Sequence, residues 1–311
     1  MQDIIFRGLN APLRLTGAEA ILPVLCAVAH GWPFDCVAVE ASRSPFYSIT
    51  TQPGAPHFWC ECHLDDRPKR WFDAVNAVCD VVSALALALP AERPELICLH
   101  AAGIRFAERL VVFPNIRKAG KSTLSAALAK AGFQVFSDDV IPVLFSDEPR
   151  AHGLAMGIAP RLRLPLPEAP GAAFRDWVGR AAGPANGQYQ YLTAKNQPPH
   201  GATLPVGAFV ILDRQDTPVA ARLDPVPPDA AMDALLFQNF TRDRHSADIL
   251  RLIGATLSDR PVFRLVYSDL EDAVECLTAG FASWPEDGAV AVPDGPACRR
   301  DLGLDRRADG G

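Results

Sequence analysis

The sequence predicts an α/β fold, in which a core of strand, loop, helix and strand follows a smaller α+β module. Three observations predict it. "LICLHAAGI" and "RLVVFP" (96–104 and 109–114) are apolar runs of strand length. "KSTLSAALAKAG" beyond them carries Leu124, Ala127, Leu128 and Ala131 at the i, i+3, i+4, i+7 spacing of a helix face. "FQVFSDDVIPVLF" then returns to strand texture around two adjacent aspartates. Strand, glycine-containing loop, helix and strand in that order make a nucleotide-binding α/β core.

The remaining elements read in chain order. "CVAVEA" (36–41) and "FYSIT" (46–50) predict strands. "RWFDAVNAVCDVVSALALAL" places Trp71, Val75, Val78, Val82 and Leu85 at spacings of four and three, one face of a helix that Pro90 and Pro94 are expected to end. Gly132 is a natural stop for the helix after the loop. Residues 165–203, rich in Pro, Gly and Ala, predict a loop or mobile insertion. "VGAFVILDR" (206–214) and "PVFRLVY" (261–267) predict core strands. Between them, "PPDAAMDALLFQNF", with Met232, Leu235, Leu236 and Phe240, and "SADILRLIGATL" predict helices. Ser268 with Glu271 predicts a capping box for a last helix. The text beyond Trp284 has no periodicity and predicts a disordered tail. The expected division is a module over 1–94, the main domain over 95–284 and a tail over 285–311.

Bulk composition narrows the function classes. The formal net charge of −6 argues against a general nucleic-acid binder, which needs a basic stripe. The N-terminus lacks the basic start and long apolar core of a signal peptide, and "VVSALALALP" is about half the length of a membrane span. A soluble, cytoplasmic protein without a membrane partner is expected. The eight cysteines are scattered among apolar residues, the pattern of buried free thiols.

"FPNIRKAGKSTLSAAL" (113–128) carries the chemistry. It follows the phosphate-loop pattern G-x-x-x-x-G-K-[ST], with Gly120, Lys121 and Ser122 in place and Asn115 where the first glycine belongs. Asn tolerates the positive φ of that turn next best after Gly. The loop Asn115, Ile116, Arg117, Lys118, Ala119, Gly120, Lys121, Ser122 and Thr123 is therefore expected to wrap phosphate oxygens with its N–H groups. Lys121 would reach the β- and γ-phosphates, and Ser122 would ligate Mg²⁺. Asp138 and Asp139 end a strand, where open α/β sheets place ligands. Two carboxylates beside a triphosphate can divide metal binding and proton acceptance between them.

The run "LHAAGIRFAERLVVFPNIRKAGKSTLSAALAKAGFQVFSDDV" resembles the catalytic core of the HPr kinase/phosphorylase family and its HPr-kinase-like relatives. In those proteins a histidine, a GKS/T loop and an (A/S)-D-D motif follow in this order and at much this spacing. The resemblance covers residues 96–145 well and extends loosely through "GIAPRLRLP" and "VGAFVILDR". It implies a fold related to phosphoenolpyruvate carboxykinase and transfer of the γ-phosphoryl group of ATP to a serine of a protein or peptide. By position it implies His100 near the transferred phosphoryl, Asp138 as general base and Asp139 assisting through Mg²⁺. Sequence leaves open which aspartate is the base. Family members are often oligomers, so a homo-oligomer is compatible with the resemblance.

Where the bifunctional enzymes carry a metal-binding glutamate, this chain reads "AHGLAMGIAPRLRLP", which implies kinase activity without efficient phosphorolysis. Arg161 and Arg163 would point the same way on a strand and are candidates for binding phosphate or an acidic substrate tail. His57, Cys60, Cys62 and His63 in "PHFWCECHL" invite a zinc reading, but on a strand the cysteines and histidines take opposite faces. A nucleotide-binding regulator with weak or no catalysis, and a small-molecule kinase, are the competing functions.

Overall fold

The structure, a computed structural model, describes residues 2–38, 44–51, 57–114, 119–144, 151–167, 170–193, 196–241, 244–258 and 260–282. Asn115, Ile116, Arg117, Lys118 and the expected tail over 285–311 lie outside the described residues.

The first part of the chain is a curved sheet with two helices. Its elements are β1 (Gln2–Phe6), β2 (Leu13–Thr16), α1 (Leu22–Val28), β3 (Phe34–Ala38), β4 (Tyr47–Thr51), β5 (Phe58–Cys62), β6 (Asp65–Trp71) and α2 (Ala74–Glu92). The strand order is β3-β1-β2-β4-β5-β6. Only β2 and β4 run parallel; the other neighbours are antiparallel. Trp71 does not start the helix, as its spacing predicts, but ends β6. Asp73 then caps α2 by accepting the Asn76 N–H at 2.8 Å. Nor does Pro90 end the helix. It sits in the last turn, where its ring removes the N–H bond to the carbonyl four residues back, and α2 nonetheless runs on to Glu92.

α2 is long and apolar enough to cross a membrane by length and composition, yet 61% of its apolar window is buried inside the fold. Val75, Val78, Val81, Leu85 and Leu89 pack with Ile4, Leu15 and Tyr47 of the sheet and Leu25 of α1. The same core takes in Met156, Ala159 and Tyr191 from far along the chain. Two polar residues side by side on α2 face in different directions. Asp80 accepts the Tyr47 hydroxyl and pairs with Lys69 Nζ at 2.8 Å, while Cys79 meets the Tyr191 hydroxyl at 3.0 Å.

The second sheet begins with β7 (Leu96–Leu99), β8 (Ala102–Phe106) and β9 (Arg109–Phe113). The apolar run expected as one strand over 96–104 is thus two, broken at His100–Ala101. α3 (Lys121–Lys130), β10 (Gln134–Ser137), β11 (Ile141–Leu144) and β12 (His152–Leu154) follow. β13 (Arg161–Arg163), α4 (Ala172–Arg180), β14 (Ala182–Ala185) and β15 (Tyr189–Leu192) form a small layer, its sheet ordered β13-β15-β14. The segment 165–203, expected as a loop, therefore holds a helix and a strand pair. Small residues weaken the periodic signal there, and tertiary pairing with β13 supplies the order. β16 (Thr203–Arg214), β17 (Arg222–Val226), α5 (Asp229–Gln238), α6 (Ser246–Ser258), β18 (Val262–Tyr267) and α7 (Leu270–Phe281) complete the fold.

The large sheet runs β10-β8-β9-β16-β12-β11-β7, with β18 beside β16 and β17 beside β18. β9, β16 and β18 are parallel. β10 and β11 stand near opposite ends of this path, yet only Asp138, Asp139 and Val140 join them. Three linking residues span at most about 14 Å, so the sheet has to fold back on itself. Gly103 of β8 permits the approach: a Cβ there would stand 3.3 Å from Ile141 Cδ1 of β11. The fold-back is what places an aspartate pair where both halves of the sheet meet. Ser268 does not cap α7. Its hydroxyl bonds both backbone groups of Val219, and Asp269 caps the helix by accepting the N–H groups of Glu271 and Asp272.

Candidate active site

The site starts at the N-terminus of α3. Gly120 stands at the N-cap with φ of 91°, a left-handed conformation that glycine adopts without strain. Its carbonyl accepts the Leu124 N–H at 2.9 Å, and Leu124 and Leu128 anchor the helix in the core. Ala119, Ser122 and Thr123 flank this turn, so free N–H groups and the positive end of the helix dipole converge here. Lys121 is buried. Desolvation pulls its ammonium below the usual lysine range, and the carboxylates of Asp139 and Asp138 act against that fall.

Asp138 and Asp139 follow β10 directly. The Ser137 hydroxyl accepts the N–H groups of Asp139 and Val140 at 3.2 and 2.9 Å, which fixes the turn. Asp138 is 7% exposed and accepts the Arg161 backbone N–H on Oδ2 at 2.9 Å. Burial, then the neighbouring Asp139 charge, pushes its carboxyl up to about 7, against the pull of that N–H and the Arg161 charge. Asp139 is more open, and both its oxygens are engaged. Oδ1 lies 3.2 Å from His100 Nδ1, and Oδ2 accepts Arg161 Nη2 at 2.8 Å. His100 occupies the break after β7, where its backbone N–H donates to Gln238 O at 2.8 Å.

Arg161 is the hub. Besides Asp139 it donates through Nη1 to Cys79 Sγ at 3.0 Å, and its guanidinium lies 4.4 Å from the centre of the Tyr189 ring. It is thus committed inside the protein, where the sequence suggests a group reaching for substrate. Arg163 points the same way, 5.9 Å from the same ring, and is exposed. The structure brings together His100, Lys121, Asp138, Asp139 and Arg161. It adds Cys79, Tyr189 and Tyr191, which sequence reasoning misses. A signal existed for the tyrosines: Arg-x-Arg in β13 pairs in register with Tyr-x-Tyr in β15. Cys79 had none.

A cleft of about 480 Å³, mouth included, opens onto the carboxylates. Val82 and Ser83 of α2 line one side, and Phe136, Met156 and Ile158 the other. The residues of the zinc reading do not converge. Cys60 is buried beside Tyr47, while His57 packs on the Trp59 and Phe72 rings. Among the described residues no three His, Cys, Asp or Glu side chains gather as a metal site.

No family model and no curated protein matches the chain. Among solved structures it is similar to the HPr(Ser) kinase/phosphatase from Coxiella burnetii. The identity is 13%, over 58% of this chain and 94% of that one, with a TM-score of 0.30. A likeness that loose bears on neither the residues nor the reaction of this site.

Proposed function

We propose that this chain is an ATP- and Mg²⁺-dependent kinase that transfers the γ-phosphoryl group to a serine hydroxyl of a protein or peptide. The observation that carries the reading is Asp138, a buried carboxylate raised to about 7, set between a phosphate-loop lysine and an open cleft. A base of that strength, about half ionised at neutral pH and able to hold a proton, suits an acceptor hydroxyl. The sequence resemblance to HPr kinase/phosphorylase supplies ATP and serine as the substrates.

In this reading the triphosphate lies along the α3 N-terminus, with Lys121 against its β- and γ-oxygens. The acceptor hydroxyl enters through the cleft and gives its proton to Asp138 as its oxygen bonds to the γ-phosphorus. The bond from that phosphorus to the β-bridging oxygen breaks, ADP leaves, and Asp138 returns the proton to solvent. Asp139, held by His100 and Arg161, positions that cluster and adds to the field that keeps Asp138 basic. Mg²⁺ fits the donor set, because Ser122 and the carboxylates are hard oxygen ligands and a desolvated carboxylate gains from a cation. Ser122 with Asp138 or Asp139 would hold it, and it would neutralise phosphate charge. For Asp139 to serve, an oxygen must leave His100 or Arg161.

That engagement of both Asp139 oxygens favours one second reading, a nucleotide-binding regulator without catalysis. Labelled ATP with Mg²⁺ and serine peptides separates the two. The kinase reading expects phosphopeptide, lost in Asp138→Asn while ATP still binds. ATP binding without transfer or hydrolysis, and with Asp138→Asn silent, would leave the regulator.

A further inference from the structure

A second cleft is lined by Gly120 and shares no lining residue with the cleft over the carboxylates. It is an open recess, about 370 Å³ with the solvent at its mouth counted. Gly120 and Thr123 of the α3 N-terminus form one wall. The ends of two neighbouring parallel strands form another, because Arg214 closes β16 in register with Tyr267 closing β18. Pro167 and Leu270 give it apolar surface, and Asp269 stands at its edge.

Two polar side chains here make no hydrogen bond or ion pair among the described residues, those of Tyr267 and Arg214. Tyr267 is 3% exposed, and its hydroxyl makes no hydrogen bond among the described residues. That oxygen lies where it would be 3.0 Å from a Cβ on Gly120, at the wall of the cleft. The ring is buried while the hydroxyl opens to the cleft, where a ligand can exchange hydrogen bonds with it. Arg214, exposed, makes no ion pair among the described residues. Asp269, which lines the cleft, spends Oδ1 on the α7 cap.

We infer that this cleft is the seat of the nucleoside half of the nucleotide. The inference rests on the reading of the α3 N-terminus as the phosphate site. A third phosphate at this place would meet Asp269 and gain from Arg214 alone. A sugar bonded to phosphates at Gly120 and Thr123 presents hydroxyls that donate to Asp269 and exchange hydrogen bonds with the Tyr267 phenol. A flat base covers the Pro167 and Leu270 surface and stacks under the Arg214 guanidinium. The one nucleotide thereby spans two clefts, reacting end on the aspartates and nucleoside end on Tyr267 and Arg214.

Calorimetric titration of the full chain with ADP and, separately, with inorganic tripolyphosphate tests this. Tyr267→Phe removes only the hydroxyl, and Arg214→Gln changes an exposed residue, so both variants keep the fold, which circular dichroism verifies. The expected result is an ADP Kd raised about tenfold in each variant, with the tripolyphosphate Kd unchanged within twofold. ADP binding unchanged in both variants, or both ligands weakened alike, overturns the subsite. Wild-type binding of tripolyphosphate as tightly as ADP also overturns it, while the phosphate site stands. Wild-type binding of neither ligand removes the phosphate site and the subsite with it.

Discussion

Arg161 Nη1 lies 3.0 Å from Cys79 Sγ, a contact that ties the helix α2 to the carboxylate cluster across 82 positions of sequence. Arg161 is held at four points: by Asp139, by Cys79, by the face of Tyr189 and, through its backbone, by Asp138. The early part of the chain therefore helps shape the site that the later part supplies. Cys79→Ala removes one of the four holds and one hydrogen bond of the Tyr191 hydroxyl. The expected stability loss is about 1–3 kcal/mol, because two hydrogen bonds go and the buried Tyr191 hydroxyl loses its Cys79 partner. Transfer rate should fall by about three- to tenfold while ADP affinity stays constant, since the α3 N-terminus is untouched. A loss of ADP affinity comparable to the rate loss would show that α2 acts on the nucleotide instead.

Asp138 makes two pH predictions of defined sign. As a base it must be ionised, so kcat/KM should rise with pH up to about 7 and level off above. As a folded-state group raised from its ordinary 3.8, it binds its proton more tightly in the native than in the unfolded chain. Its contribution to stability is complete below about pH 4 and is lost as pH rises through about 7. Asp138→Asn cannot titrate, and it can still accept the Arg161 N–H. Thermal melts should show wild type and variant alike near pH 4, with the variant increasingly the more stable up to about pH 7. A difference between variant and wild type that stays constant from about pH 5 to about pH 8 would mean that Asp138 is ionised throughout.

Gly120 is the glycine on which the α3 N-terminus turns. Its φ of 91° disfavours any side chain, and a Cβ would press on the Tyr267 hydroxyl at 3.0 Å. Gly120→Ala should cost about 1–2 kcal/mol in stability from backbone strain. Nucleotide affinity should fall more than tenfold, because the N–H groups lose their aim. Adding Tyr267→Phe should recover part of the stability and none of the affinity. Full recovery of both would assign the damage to the contact with Tyr267 instead of to the backbone.

Much of this was legible before the structure. The phosphate-loop match marked Lys121 at the head of α3, and the Asp-Asp pair marked the end of β10, because those signals are local in sequence. The layout of the large sheet was not legible. Short strands such as "HGL" and "RLR" carry no period, and the break at His100 interrupts a run that is apolar throughout. The start of α2 differs from the spacing at Trp71 for a related reason: apolar spacing runs past a boundary that Asp73 sets by a single hydrogen bond. Arg161 illustrates the hardest part. Its charge read as a hand held out to substrate, and only the fold-back of the sheet reveals Asp139, Cys79 and Tyr189 around it.

Gly157 offers the sharpest test of how the cleft over the carboxylates is built. Residues 155–159 run between the early sheet and the aspartates, and Met156 and Ile158 line the cleft. The segment is stitched to the α1–β3 connection by Gly31 N–H to Gly157 O at 3.0 Å and by Ala159 N–H to Val28 O at 2.7 Å. The two glycines make that approach feasible. A Cβ on Gly157 would stand 2.4 Å from the carbonyl carbon of Gly31, and its φ of +71° already disfavours a side chain. Backbone has nowhere to yield, so Gly157→Ala should destabilise by about 3 kcal/mol or more, strain and overpacking together. Gly179 is the control. It lies inside α4 with nothing within 4 Å of its would-be Cβ, so Gly179→Ala should stabilise by up to about 1 kcal/mol. Urea melts of the two variants should move in opposite directions. The Gly157 variant should also lose transfer to peptide more than ADP binding, because the displaced Met156 and Ile158 face the acceptor cleft and not the α3 N-terminus. Equal and small shifts in both variants would show that the two segments do not approach each other this closely.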